Sequence, residues 1–153
     1  MSHVSEIELK IKSLDALKAA CTRLGLEFVE GQKTYKWYGT FMGDYPLPSW
    51  LKKEDLGKCQ HAIKVPGASY EIGIVEHEGE VKLLWDFWSS GGLERVLGKQ
   101  GGRLKQAYTV EHSKAVARRA GYQVREKRTM MDRIRGALGK QQVDGIRLTL
   151  TRR

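Results

Sequence analysis

The chain opens on an alternation in which Ile7, Leu9 and Ile11 face one way and Glu6, Glu8, Lys10 and Lys12 the other. A period of two predicts a half-buried strand over 4–12 with one solvated face. Ser13 then stands at an N-cap position, and Leu14, Leu17, Cys21 and Leu24 recur at helical spacing, so 14–24 reads as an amphipathic helix. Gly25 supplies the left-handed residue that ends such a helix without strain.

Beyond the helix the pattern over 27–40 is strand-like again, with Phe28 and Val29, a break at Gly31, then Tyr35, Trp37 and Tyr38. Residues 39–58 hold Pro46, Pro48, Gly39, Gly43, Asp44 and Gly57, which predicts a long surface loop of the kind that usually carries function. His61 to Val65 reads as a short strand stopped by Pro66-Gly67. Tyr70, Ile72 and Ile74 alternate, Glu78-Gly79 makes a hairpin turn, and Val81, Leu83, Trp85 and Phe87 return the chain. The core sheet should therefore be antiparallel.

Gly91-Gly92 interrupts the pattern, 93–98 suits a short helical turn, and Gly101-Gly102 interrupts again. A helix is expected from Arg103 to Ala120, with Leu104, Ala107, Tyr108, Ala115 and Ala120 inward and Gly121 as its stop. Tyr122 and Val124 begin a further strand, 129–142 reads as an insertion with one turn uniting Met130, Ile134 and Leu138, and Asp144-Gly145 turns into a last strand carrying Ile146, Leu148 and Leu150. The element order predicts one α+β domain over 1–153, an antiparallel sheet with two main helices on one face, close to a ferredoxin-like sandwich. At 153 residues the chain is long enough for one such core and short for two.

Charge changes this picture. The net charge is +9, but residues 1–94 carry 11 Lys and Arg against 14 Asp and Glu, whereas residues 95–153 carry 16 against 4. A basic final third points to an anionic partner, either a phosphorylated small molecule, nucleic acid or an acidic protein surface; a solvated basic face is the plain alternative. No apolar run approaches the ~20 residues of a bilayer span, and the N-terminus lacks a basic and then apolar leader, so a cytoplasmic protein without membrane attachment is expected. Two cysteines, Cys21 and Cys59, are too few for a disulfide framework and read as inert buried thiols.

Catalytic motifs are absent where they would have to be complete. Gly92 and Gly98 are separated by one residue too many for a nucleotide-binding P-loop, and Lys99 is followed by Gln100 where a hydroxyl must hold magnesium. Glu76-His77-Glu78 resembles a metal cluster, yet a strand sends His77 to the face opposite the two carboxylates. Asp86, between Trp85 and Phe87, suits a buried acceptor better than a catalytic acid. Neither an enzyme, a cofactor nor a metal is expected. The candidate phosphate contacts are Lys99, Arg103 and Lys105, next to a helix N-terminus, with Arg118, Arg119, Arg125 and Arg128 farther on. Tyr35, Trp37, Tyr38, Phe41, Tyr45 and Trp50 crowd into and around the long loop, either as a stacking platform for bases, with Tyr35, Trp37 and Tyr38 the candidate stackers, or as ordinary packing.

A resemblance accompanies these readings. The opening Met1-Ser2-His3-Val4-Ser5 with Ile7 and the 14–25 helix, Tyr70-Glu71-Ile72-Gly73, Leu84-Trp85-Asp86-Phe87-Trp88, Leu104-Lys105-Gln106-Ala107-Tyr108, Gly121-Tyr122 and Asp144-Gly145-Ile146-Arg147-Leu148 resemble an uncharacterised family of hypothetical chloroplast open reading frames, which also occurs in cyanobacteria and bacteriophages. The long loop at 39–58 and the insertion near 129–142 depart from the short plastid pattern and look more like the phage branch. The resemblance implies a viral origin and no established activity. Together these readings lead to a small basic binding protein for a phosphate-bearing ligand, which is either a nucleotide messenger of host defence or nucleic acid. The alternative is a module docking its basic face on an acidic host protein, and a homo-oligomer is possible in either case.

Overall fold

The computed structural model describes residues 2–131 and 143–152. These fall into two compact units, 1–108 and 109–153. The first begins as the alternation requires, with β1 over Val4–Ile11 and α1 over Leu14–Leu24. The Ser13 hydroxyl accepts the Ala16 N–H at 3.1 Å, and Gly25, at φ 71°, receives the chain in the left-handed region. Both helix ends are thus closed by side-chain and backbone groups within reach in sequence.

The strands β2 (Glu27–Val29), β3 (His61–Lys64), β4 (Glu71–His77) and β5 (Glu80–Asp86) follow, and the sheet order is β1-β5-β4-β3-β2. Every neighbouring pair is antiparallel. The mixed α+β class and the antiparallel sheet agree with the sequence pattern. A ferredoxin-like sheet, however, interleaves two βαβ halves, and here the second half is missing from the sheet. The strand after the long helix, β6 (Tyr122–Met131), pairs instead with β7 (Val143–Arg152) as a separate ribbon in the second unit.

Two apolar clusters lie against the sheet. One joins Ile7, Ile63, Ile72, Ile74, Leu83 and Trp85 with Leu17 and Cys21 of α1, Leu93 and Leu97 of α2 (Leu93–Leu97), and Leu104, Ala107 and Tyr108 of α3 (Gly102–Arg119). The alternate strand positions Val4, Ala62 and Leu84 join Tyr35, Leu51 and Cys59. The region between β2 and β3 therefore covers a sheet face. The strand expected through Tyr35, Trp37 and Tyr38 is absent, and a single bridge, Thr34 with Lys58, is all the regular pairing there. Its alternation is real but serves packing: a Cβ on Gly73 of β4 would stand 2.3 Å from the Tyr35 ring, so the missing side chain of one strand makes the seat for the aromatic above it.

Polar groups fix that cover in place. Asp86 is fully buried; one carboxylate oxygen accepts the N–H groups of His3 at 3.0 Å and Trp88 at 3.1 Å, and the other accepts that of Tyr38 at 3.0 Å. Buried Glu71 accepts the Lys36 N–H at 3.0 Å and the Gln32 amide at 3.1 Å. The Ser2 hydroxyl accepts the Met42 N–H, and Trp50 Nε1 donates to Glu6. Charge-assisted bonds of this kind hold irregular backbone that no ladder could satisfy.

The second unit departs from expectation at its strand ends. Thr129 and Met131 continue β6 where the insertion was expected to begin, and Asp144-Gly145, expected as a turn, pairs with Met130 and Thr129 inside β7. An Asp-Gly pair favours a turn only where no partner strand claims its backbone. The remainder of the expected insertion, 132–142 with Ile134 and Leu138, lies outside the described residues. In α3, Val110 and Ala117 are buried while Ala120, expected inward, is exposed.

Replacing Asp86 by Ala removes the acceptor of three N–H groups and leaves a cavity where its fully buried side chain stood, so Asp86→Ala should lower the unfolding free energy by about 3 kcal/mol. Urea denaturation measures this, and a loss below ~1 kcal/mol would contradict the clamp.

Candidate functional site

Two regions gather the residues singled out in the sequence. The first, in unit one, is a cleft of about 620 Å³ beside β1. Its walls are the 45–50 segment with Tyr45, Pro46, Pro48 and Trp50, the strand residues Ser5, Glu6, Glu8 and Trp85 with Phe87 just past β5, and Glu94 of α2, Lys99 and Gln100 of the α2–α3 connection and Lys105 of α3. Lys99 and Lys105 thus come together, but with three carboxylates around them. Arg103 turns away, donating from Nη1 to the Val96 carbonyl at 3.1 Å. Gln100 sits at φ 56° between Lys99 and Gly101, and Gly101 abuts Ile7, whose side chain a Cβ would meet at 3.1 Å.

The three expected stacking residues do not line this cleft. Tyr35 is 3% exposed, and burial drives the pKa of its hydroxyl well up, so it belongs to the core and cannot stack on a ligand. Trp37 is half-buried against the second cluster, edge-on to Gly57. Only Tyr38 presents its ring, at 43% exposure. The aromatic wall of the cleft comes from Tyr45 and Trp50, the two loop aromatics of that expected platform that do line it, with Trp85 and Phe87, and His3 adds a ring beside Tyr45 and Phe87 while contacting Asp44 at 3.1 Å.

The second region is the β6–β7 ribbon. Directly opposite residues of an antiparallel pair share a face. One face carries Tyr122 with Arg152, Val124 with Leu150 and Glu126 with Leu148; Glu126 is bonded to Lys114 of α3 at 3.2 Å. The other carries Gln123 with Thr151, Arg125 with Thr149 and Lys127 with Arg147. All six are exposed, and among the described side chains this face holds no carboxylate. Lys127 and Arg147 stand directly opposite, an arrangement that like charges disfavour. Arg118 and Arg119 end α3, where the helix dipole alone accounts for cations. The side chain of Arg128 lies outside the described residues; its backbone pairs with Ile146. Lys127, Arg147 and Thr149 were not singled out in the sequence, because the face they share is defined only by the register of two strands.

Burial pushes the Cys59 thiol up to about 11 and the Cys21 thiol up to about 12. Cys59 also donates to the Gln32 carbonyl at 3.2 Å. His77 stacks on Trp50 with centroids 4.9 Å apart, and no group of three His, Cys, Asp or Glu side chains among the described residues could hold a metal. No described helix is long and apolar enough to cross a membrane. Compared with known families, with characterised proteins and with solved structures, the chain matches none.

At pH 8 a thiol whose pKa is about 11 is ionised in only ~0.1% of molecules, so both cysteines should resist a thiol-specific disulfide reagent in the native protein and react promptly in denaturant. Stoichiometric labelling of the folded chain within minutes would contradict their burial.

Proposed function

We propose that this chain is a non-enzymatic nucleic-acid-binding protein that engages its ligand with the exposed face of the β6–β7 ribbon. The observation that carries this reading is the run of Arg125, Lys127 and Arg147 on one carboxylate-free face, with Lys127 set against Arg147. Their mutual repulsion is relieved when phosphates stand between them, and Gln123, Thr149 and Thr151 add uncharged donors alongside. Ten-residue strands extend about 33 Å, and a two-stranded ribbon is narrow enough for the ~12 Å major groove of a duplex.

A second reading, a small phosphorylated nucleotide, rests on Lys99 and Lys105 sharing the cleft with Tyr45 and Trp50. The local charge favours it less: Glu6, Glu8 and Glu94 outnumber the two ammonium groups, and an added phosphate dianion would face them. A phage origin, with binding in the host cytoplasm to sequester a defence nucleotide or coat nucleic acid, follows only from the family resemblance. An acidic host protein would use the same ribbon face and differs in its response to nuclease.

Fluorescence anisotropy with duplex DNA, duplex RNA and single strands tests the proposal. Affinity should fall steeply with salt, and the triple change Arg125→Ala, Lys127→Ala, Arg147→Ala should flatten the slope of log K against log salt by about one unit for each cation removed. Binding unaffected by the triple change, or seen only with mononucleotides and lost in Lys99→Ala, would overturn the ribbon reading in favour of the cleft. Capture of an acidic protein that survives nuclease, with no affinity for any nucleic acid, would overturn both.

A further inference from the structure

β1 lies at the edge of the five-stranded sheet: one side pairs with β5, and no strand among the described residues pairs with the other. Even the paired side is incomplete. The ladder runs through Val4, Ser5, Glu6 and Ile7 and resumes only at Ile11, so Glu8, Leu9 and Lys10 have no partner on β5. An open edge is a template for another strand, and proteins ordinarily blunt it. Here it opens into the cleft, whose lining takes Ser5 and Trp85 from one face of the sheet and Glu6, Glu8 and Trp50 from the other. The free volume therefore wraps the rim of the sheet, which is the shape an additional strand needs.

The residues of β1 specify which strand fits. Laid antiparallel against a second copy and centred on Leu9, Glu8 meets Lys10, Glu6 meets Lys12 and Ile7 meets Ile11. Opposite residues share a face, so both Glu–Lys pairs fall on one side and the Ile and Leu pairs on the other. The neighbouring registers are poorer, each losing two of the four Glu–Lys pairs or the match of faces. A shift of two residues one way sets Glu8 against Glu8, and two the other way sets Lys10 against Lys10. A shift of one brings charged residues opposite apolar ones. Glu8 and Lys10 are exposed, and Glu8 has no ion pair among the described residues. Glu6 is shared with Lys82 at 3.3 Å and accepts from Trp50 Nε1, and the cleft around the edge also carries Glu94 with Lys99 and Lys105, so Glu8 is the carboxylate left for an incoming lysine.

We propose that the chain forms a two-fold dimer by antiparallel pairing of β1 with β1 of a second copy, centred on Leu9, which joins the two five-stranded sheets into one. The interface is isologous: each Glu8 meets the other copy's Lys10, and the pairing closes without an open end for further addition. It is independent of the ribbon, and nucleic acid plays no part in it.

Sedimentation velocity on the full chain, treated with nuclease and followed from low to high micromolar protein, tests this. The native chain should dimerise. Glu8→Lys turns both Glu8–Lys10 attractions into repulsions and should raise the dimer dissociation constant at least roughly tenfold. Adding Lys10→Glu to the same chain restores opposite charges across the axis and should bring the constant back to within about threefold of the native one. Both positions are exposed, so circular dichroism and melting should stay native. A native chain that is monomeric throughout, a dimer indifferent to Glu8→Lys, or a double variant no better than the single one would each overturn the proposal.

Discussion

The structure of the first unit depends on one carboxylate. Asp86 ends β5 with no exposure and gathers N–H groups from His3, Tyr38 and Trp88, three segments far apart along the chain. Burying such a group is costly unless its oxygens are occupied, and here each is. The same bonds set the start of β1, bring the long connection down on the sheet and direct the chain out of β5. Glu71 repeats the arrangement on the neighbouring strand with Gln32 and Lys36. Those two carboxylates hold the backbone of 32–38, which has no ladder of its own, and farther along Trp50 Nε1 donates to Glu6, tying the 45–50 segment beside β1 where the cleft lies.

The two candidate surfaces differ in electrostatic character. The cleft mixes ammonium and carboxylate groups along an aromatic wall, which suits a partner carrying both signs of charge. The ribbon face has one sign only, and its cations are held opposite each other by strand register. Charge counted along the sequence cannot separate these cases. It assigned Lys99 and Arg125 to one basic segment, whereas folding places Lys99 among carboxylates and Arg125 on a face without them.

What was legible in the sequence was what is decided locally. β1 and α1 could be read to within a residue because alternation, the Ser13 cap and the Gly25 stop all act over a few positions. The hairpin at Glu78-Gly79 and the short helix after Gly92 were legible for the same reason. Tyr35, Trp37 and Tyr38 misled because alternation reports burial on one side and says nothing of whether a neighbouring strand supplies the pairing. The relevant sign was Gly73, a glycine inside a strong strand pattern, and it gains meaning only once Tyr35 is known to lie over it. The site was less legible than the fold. Its cleft is assembled from Glu6, Trp50 and Lys99, and its ribbon face from Lys127 and Arg147, pairs whose closeness depends on tertiary contacts.

The strand order also bears on how the chain comes into being. Val4 pairs with Asp86, so of the strands in this sheet the earliest in the chain is among the last to be given its partner during synthesis, while β2, β3 and β4 can pair as they emerge. Closing so long a loop adds little to the equilibrium cost but slows the search. Until Asp86 has left the ribosome, an apolar alternating segment waits with both edges bare. Its glutamates and lysines, spaced two apart, keep that waiting strand soluble and restrict what it can join.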